Sequence, residues 1–131
     1  MVKVLVYSSK RRGVQADSLA EIGETSRRNN ARDGLTGALL HDDRVFLQLI
    51  EGDHDPVARC FLRIAQSPLH DGIRIIAFAD RDVRLFAAWS MQLVNVSGRE
   101  PKLHTLARRL GSLAADTRLA ACDELFLDQC A

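Results

Sequence analysis

Three cysteines, Cys60, Cys122 and Cys130, are present, and none falls in a CxxC or Cys/His spacing. That leaves no zinc-finger or thiol-redox motif and predicts free thiols in a reducing compartment. Neither sign of charge dominates: 18 basic residues stand against 17 acidic ones, for a formal net of +1. Such a balance gives no electrostatic reason to expect nucleic acid or a membrane surface as a partner. No stretch approaches about 18 consecutive apolar residues, so no transmembrane helix is expected. The opening MVKVLVYSS is too short and too alternating for a signal peptide. Aromatic residues are only 5% of the chain. Internal repeats and low-complexity linkers are also missing. What remains is one cytoplasmic domain of ordinary size, 131 residues long.

At 47% hydrophobic residues the chain can fill a real core. VKVLVYS (2–8) is β-rich and reads as strand 1. A polar loop follows, and Ser18 with Glu21 fits a capping box opening a helix that runs to about Arg28. Leu19, Ile22 and Ser26 share one face of it. NNARDG favours turns and should stop it. LTGALLH is strand 2, Asp42-Asp43 a tight turn and VFLQLIEG (45–52) strand 3, so strands 2 and 3 form a hairpin. Asp55 and Pro56 fit an N-cap and first helical position. The second helix then carries Val57, Phe61 and Ile64 on one face. IRIIAFA is strand 4 and WSMQLVNV strand 5. Pro101 opens a third helix with the stripe Leu103, Leu106, Ala107, Leu110 and Leu113. A fourth, about Thr117 to Asp128, shows Leu119, Cys122, Leu125 and Phe126.

The order βαββαββ predicts an α+β, ferredoxin-like fold with two helices on one sheet face. The two C-terminal helices must bury their stripes, and the other sheet face is the place for them. Strand 3 supports this. Val45, Leu47 and Leu49 point one way, Phe46, Gln48 and Ile50 the other, and both sets are apolar but for Gln48. A side-chain amide in a core must satisfy two donors and two acceptor lone pairs. Leaving such a group unpaired costs about 1–3 kcal/mol. Tyr7, Asn30, Arg63 and His70 are also polar groups near expected core positions. Each has a plain structural role open to it: a rim hydroxyl, a helix C-cap, a solvated face, a loop. Together they suggest a polar constellation around a buried planar partner offering donors and acceptors.

The stretches LVYSS (5–9), TSRRNNARDGLTGALL (25–40), FLQLIEG (46–52) and WSM (89–91) resemble, in order and spacing, those of BLUF domains, flavin-binding blue-light sensors. The likeness covers roughly residues 2–95. It implies a flavin between the first two helices, FAD or alternatively FMN. It casts Tyr7 as the photoactive tyrosine that gives an electron to the excited flavin. Gln48 becomes the switching glutamine between that tyrosine and the ring. Asn30 and Asn29 would meet the ring's polar edge, Ile22 and Ile64 its two faces, and Arg63 the ribityl-phosphate chain. His70 falls where some members place a ring contact. Leu69 stands where some have a basic residue. Trp89 and Met91, two positions apart on strand 5 and so on one face, match a pair tied to signalling. In this mechanism a proton-coupled electron transfer leaves the glutamine rearranged and the absorption slightly red-shifted, with thermal return in the dark.

The resemblance implies no enzyme and a bacterial source. It divides the chain into a sensor core, 1–97, and a helical cap, 98–131. Only two short helices follow strand 5, so the signal is expected to leave through a surface, to a separate effector or a second copy. Two other readings compete with this one. A flavin-free ferredoxin-like interaction module would share the fold but has no use for Tyr7, Asn30 and Gln48 together. Acylphosphatases share the strand order, and Gly13-Val14-Gln15 resembles part of their phosphate loop. The arginine that would follow is absent, since ADSLA stands there.

Overall fold

The computed structural model describes residues 1–13 and 16–131, with residues 16–18 described in their backbone alone. Among the described residues nine elements follow in order: β1 (Val2–Arg11), α1 (Ala16–Asp33), β2 (Thr36–His41), β3 (Val45–Gly52), α2 (His54–Ala65), β4 (His70–Arg81), β5 (Gln92–Asn95), α3 (Leu103–Ser112) and α4 (Ala115–Gln129). The strands form one sheet in the order β4-β1-β3-β2-β5. β3 pairs antiparallel with both β1 and β2, and β5 runs parallel to β2. This is the ferredoxin-like α+β arrangement expected, with a fifth strand added beside β2.

All eight residues of β3 are buried. It lies at the centre of the sheet with helices over both faces. Val4, Val6, Leu40, Leu47 and Leu49 join Leu103, Leu110 and Phe126 in one core, beneath α3 and α4. Leu5, Tyr7 and Ile50 join Val57 and Cys60 in another, beneath α2. The alternation of β3 therefore divides two cores, and Gln48 belongs to the α1/α2 side.

Several boundaries differ from the sequence reading. The backbone of α1 begins at Ala16, so Ser18 is inside the helix and is no N-cap; its side chain lies outside the described residues, as does most of Gly13-Val14-Gln15. α1 also continues through the Asn pair to Asp33. The turn preference of NNARD is overridden there because Asn30 donates its Nδ2 to the Ser90 carbonyl at 2.8 Å. The stop is Gly34, at φ 70°, a left-handed conformation that glycine takes without a Cβ clash. α2 starts before Asp55. Its N-cap is Asp53, whose carbonyl accepts the first helical bond from Val57 N at 3.1 Å. Pro56 then sits within the first turn, where its missing N–H would have had no helical partner. Pro101 likewise stands ahead of α3, whose N-cap is the extended residue Lys102.

Strand 5 is the largest revision. It begins only at Gln92, so Trp89 and Met91 precede it and do not share a face. Trp89 packs on the α3/α4 core, stacked on Phe86 with ring centroids 5.2 Å apart. Met91 packs with Leu39 and Phe46 on the opposite side. Strand alternation does not apply because residues 82–91 form an irregular, non-strand segment anchored from several elements. Gly37 N donates to the Trp89 carbonyl at 3.0 Å, and Arg27 Nε to the Met91 carbonyl at 3.2 Å. Gly37 is a close-approach glycine: a Cβ there would lie 2.0 Å from the Leu49 carbonyl oxygen.

Candidate functional site

A cavity of about 460 Å³ opens between α1 and α2 against the sheet. Its size is that of a site for a cofactor-sized molecule. The lining explains why α1 has so thin an apolar stripe. Ile22, Thr25, Ser26 and Asn29 recur at helical spacing, and all of them face the cavity in place of a core. Where α1 does meet the sheet it comes close, at Gly23, whose added Cβ would lie 2.9 Å from Leu93 Cδ2.

The sheet supplies Tyr7 from β1 and Gln48 from β3, directly opposite each other in the register. The Tyr7 hydroxyl donates to Gln48 Oε1. Gln48 Nε2 donates to Met91 Sδ at 3.5 Å. The buried amide is thus bonded at both ends, and Met91, not Trp89, is its neighbour. Burial raises the Tyr7 phenol well above its ordinary value of 10.0, and the nearby Cys60 adds to the rise. The phenol therefore stays protonated and available as a donor at neutral pH.

Around this pair the cavity takes Ile22 from α1 and Ile64 from α2, apolar groups on the two facing helices. Asn29 and Asn30 lie at the α1 side. Because Asn30 Nδ2 is held by Ser90, its Oδ1 remains as an acceptor for a ligand N–H. Arg63 also lines the cavity, and its guanidinium reaches Asp33 at 3.3 Å across the gap between the helices. Asp33 is held below the usual carboxylate range, first by its hydrogen bond from Arg32, with Arg63 contributing. His70 is buried and doubly committed. Its Nε2 donates to the Ile64 carbonyl at 2.7 Å, and its Nδ1 pairs with the Ser9 hydroxyl at 2.6 Å. It is the first residue of β4, not a loop residue, and it braces Ile64. Leu69 lines the cavity as an apolar residue.

Eight residues singled out from the sequence (Tyr7, Ile22, Asn29, Asn30, Gln48, Arg63, Ile64 and His70) line this one cavity; Trp89 and Met91 do not. Cys60, Phe46 and Ser26 line it too and were not anticipated. Ser26 falls four residues after Ile22 on one helical face, and that spacing is the available signal. Glu51 was also missed. It is completely buried on the α3/α4 side, and its carboxylate accepts from Thr36 Oγ1 (2.9 Å), Arg81 Nη2 (2.9 Å), Leu85 N (2.8 Å) and Phe86 N (2.6 Å). Arg81 reaches on to Asp123 of α4 at 2.5 Å. A charge at the end of a strand apolar on both faces was a readable sign of such a network.

An apolar slot with a buried tyrosine–glutamine pair on the sheet and amides along one rim defines a receptor for a flat, hydrogen-bonding ring system. The chain belongs to the BLUF family, sensors of blue light using FAD, whose model matches residues 1–92. It is thus a flavin-binding blue-light sensor by family. It is 35% identical over 74 residues to the photoactivated adenylate cyclase subunit beta of Euglena gracilis, covering 56% of this chain and 9% of that protein. The chain therefore spans about a tenth of the length of that curated relative. Among solved structures, BlrB, a BLUF protein in its dark state, superposes with a TM-score of 0.75 at 28% identity, covering 94% of this chain and 92% of that one. The photo-activated state of BlsA also gives 0.75, at 27% identity, over 95% and 94% of the two chains. A bacterial light-regulated adenylyl cyclase gives 0.73 at 28% identity, over 98% of this chain and 36% of the cyclase. These findings set aside the acylphosphatase reading. Among the described residues no helix is long and apolar enough to cross a membrane.

Proposed function

We propose that this chain holds FAD non-covalently between α1 and α2 and reports blue light through the Tyr7–Gln48 pair. The observation that carries this reading is the Tyr7 hydroxyl bound to Gln48 on the sheet, beneath a cavity flanked by Ile22 and Ile64. FAD is preferred to FMN on the family's description. The bound flavin supplies absorption of blue light and an acceptor for one electron. Tyr7 would be the electron donor to that acceptor, its hydroxyl proton moving along the hydrogen bond to Gln48, and both would return to Tyr7 as the dark state recovers. Gln48 has one donor end and one acceptor end, so it can sit in two hydrogen-bonded arrangements. In the present one Nε2 is spent on Met91. Turning the amide over releases Met91 and offers the N–H donors elsewhere. Asn29 and Asn30 would hold the polar edge of the ring and Arg63 the phosphate chain, while His70 keeps Ile64 in place.

Released from Gln48, Met91 loosens residues 89–91, which tie α1 to the other sheet face. Trp89 stacks on Phe86, and Phe86 meets Phe126 of α4 edge-on at 6.4 Å. The signal therefore passes to the helical cap, residues 98–131, as a population shift of the segment 101–128. The recipient is a separate effector protein or a second copy, and this chain itself acts as sensor and not as enzyme. The test is an absorption spectrum of the purified protein before and after blue light, with chromatography of the acid-released flavin. The expected result is oxidised FAD whose bands move slightly to the red and return in the dark. A colourless protein that cannot be reconstituted with flavin refutes the reading.

A further inference from the structure

A second cleft, of about 230 Å³, lies on the opposite face of the sheet from the flavin cavity. It is half the volume of the first and differs in kind. It is bounded by the ends of β1 and β4 and by α3, with α4 contributing Arg118. Its lining includes Ser8, Lys10, Arg74, His104, Arg108 and Arg118, and no carboxylate among the described residues. In a chain with a formal net of only +1, four permanent cations around one small cleft are a marked local excess.

Three features leave the excess without neutralising acids among the described residues. No salt bridge is found for Lys10, Arg74 or Arg108 among the described residues. Asp71, opposite Lys10 in the register, does not line the cleft and is taken by Arg12 at 2.6 Å. Arg118 holds its guanidinium against main-chain carbonyls, those of Gly111 at 2.7 Å and Leu113 at 2.9 Å, so its charge also lacks an acid. A fifth side chain of the cleft is His104, whose Nδ1 is buried with no hydrogen-bond partner among the described residues. The backbone is shaped there too. The β1/β4 ladder shifts register between Ser8 and Lys10, and Gly72 adopts φ 59° beneath the Lys10 side chain. Such a bulge re-aims side chains at the edge of a sheet.

We propose that this cleft is a binding site for a small phosphate-type oxyanion, a free diphosphate or the diphosphate of a nucleotide. Arginine forks and a lysine match phosphate oxygens in charge and geometry. The Ser8 hydroxyl can add a neutral donor. The small volume favours a compact anion over an extended chain.

The experiment is calorimetric titration of the 131-residue chain as purified, in the dark, with pyrophosphate, with ADP and with hexaglutamate. Pyrophosphate should bind at one site, and its affinity should fall as salt rises. Arg74→Gln and Arg108→Gln, both exposed and distant from the flavin, should each weaken it roughly tenfold. Equal affinity for ADP and pyrophosphate assigns the free anion, and tighter ADP assigns a nucleotide. No binding at millimolar pyrophosphate overturns the proposal. So does binding that survives the double variant, or binding of hexaglutamate alone, which would make the cleft a peptide surface. Because no absorption change is read, the result is independent of the light-sensing proposal.

Discussion

Replacing Glu51 by glutamine should cost more stability than its distance from the flavin cavity suggests. The carboxylate is fully buried, and each oxygen accepts two hydrogen bonds: Oε1 from Thr36 and Phe86, Oε2 from Arg81 and Leu85. A glutamine keeps one acceptor oxygen and puts an NH2 group at the other position. Its better orientation leaves the oxygen towards Arg81 and Leu85. The NH2 then meets the Thr36 hydroxyl, which can turn to accept, and the Phe86 N–H, which cannot. One buried N–H loses its partner, at about 1–3 kcal/mol. Arg81 exchanges a charged acceptor for a neutral one, a further loss of about 1 kcal/mol. Asp123 still holds the other side of that guanidinium, which limits the damage. The sum is about 2–4 kcal/mol, a large share of the roughly 5–15 kcal/mol that stabilises a typical domain. Urea titration should show a lower midpoint with an unchanged slope. The flavin spectrum should survive, because Glu51 faces away from the cavity. A loss below about 0.5 kcal/mol would mean that the Phe86 bond and the charge facing Arg81 contribute nothing net and would refute the reasoning.

Other expectations concern the site and the pH response. Gln48→Leu and Tyr7→Phe should each retain flavin while abolishing the light-induced red shift, read by difference absorption; a normal photocycle in either would place the switch elsewhere. Met91→Ala should leave the red shift intact but reduce the dark-to-light difference in amide hydrogen exchange over residues 101–128. Equal protection of that segment in both states of the unaltered protein would exclude the route through α4. Burial, and then the neighbouring Arg11, hold buried His41 below its ordinary value of 6.5. The unfolded chain therefore binds its proton first, and the stability present above about pH 6.5 is lost as pH falls through the depressed folded value. His41→Gln should flatten that part of the pH–stability curve, measured as urea midpoints between about pH 7.5 and about pH 5.

Much of the site could be read from residue order because it rests on long, regular elements. Strand alternation alone put Gln48 in a core, and helical spacing alone put Ile22 with Ser26. The resemblance in four separate stretches then supplied the roles that periodicity cannot. What escaped was whatever depends on partners far away in the chain. Asn30 reads locally as a helix stop, yet a carbonyl at Ser90 keeps the helix going. Trp89 and Met91 read as strand, yet the backbone bonds of Gly37 and Arg27's side chain hold the segment in an irregular course. Glu51 has no local signature beyond its charge, and its four donors come from Thr36 and the segment around residues 81–86.

The two polar residues of β3 also constrain how the sheet can assemble. Gln48 and Glu51 are separated by an odd number of positions, so they project to opposite faces of the same strand. A slip of one residue in the pairing with β1 or β2 would exchange those faces. The carboxylate would then enter the apolar side facing α2, and the amide would enter the core beneath Phe126 and Leu103. Neither would find the donors or acceptors it has now, and each orphaned polar group would cost kilocalories. Val45, Phe46, Leu47, Leu49 and Ile50 would tolerate the exchange far better, since both faces accept apolar side chains. The strand most uniformly apolar, and so most able to pair out of step, carries its own proofreading marks. Misaligned pairings are rejected by two side chains, one of which is also the residue proposed to respond to light.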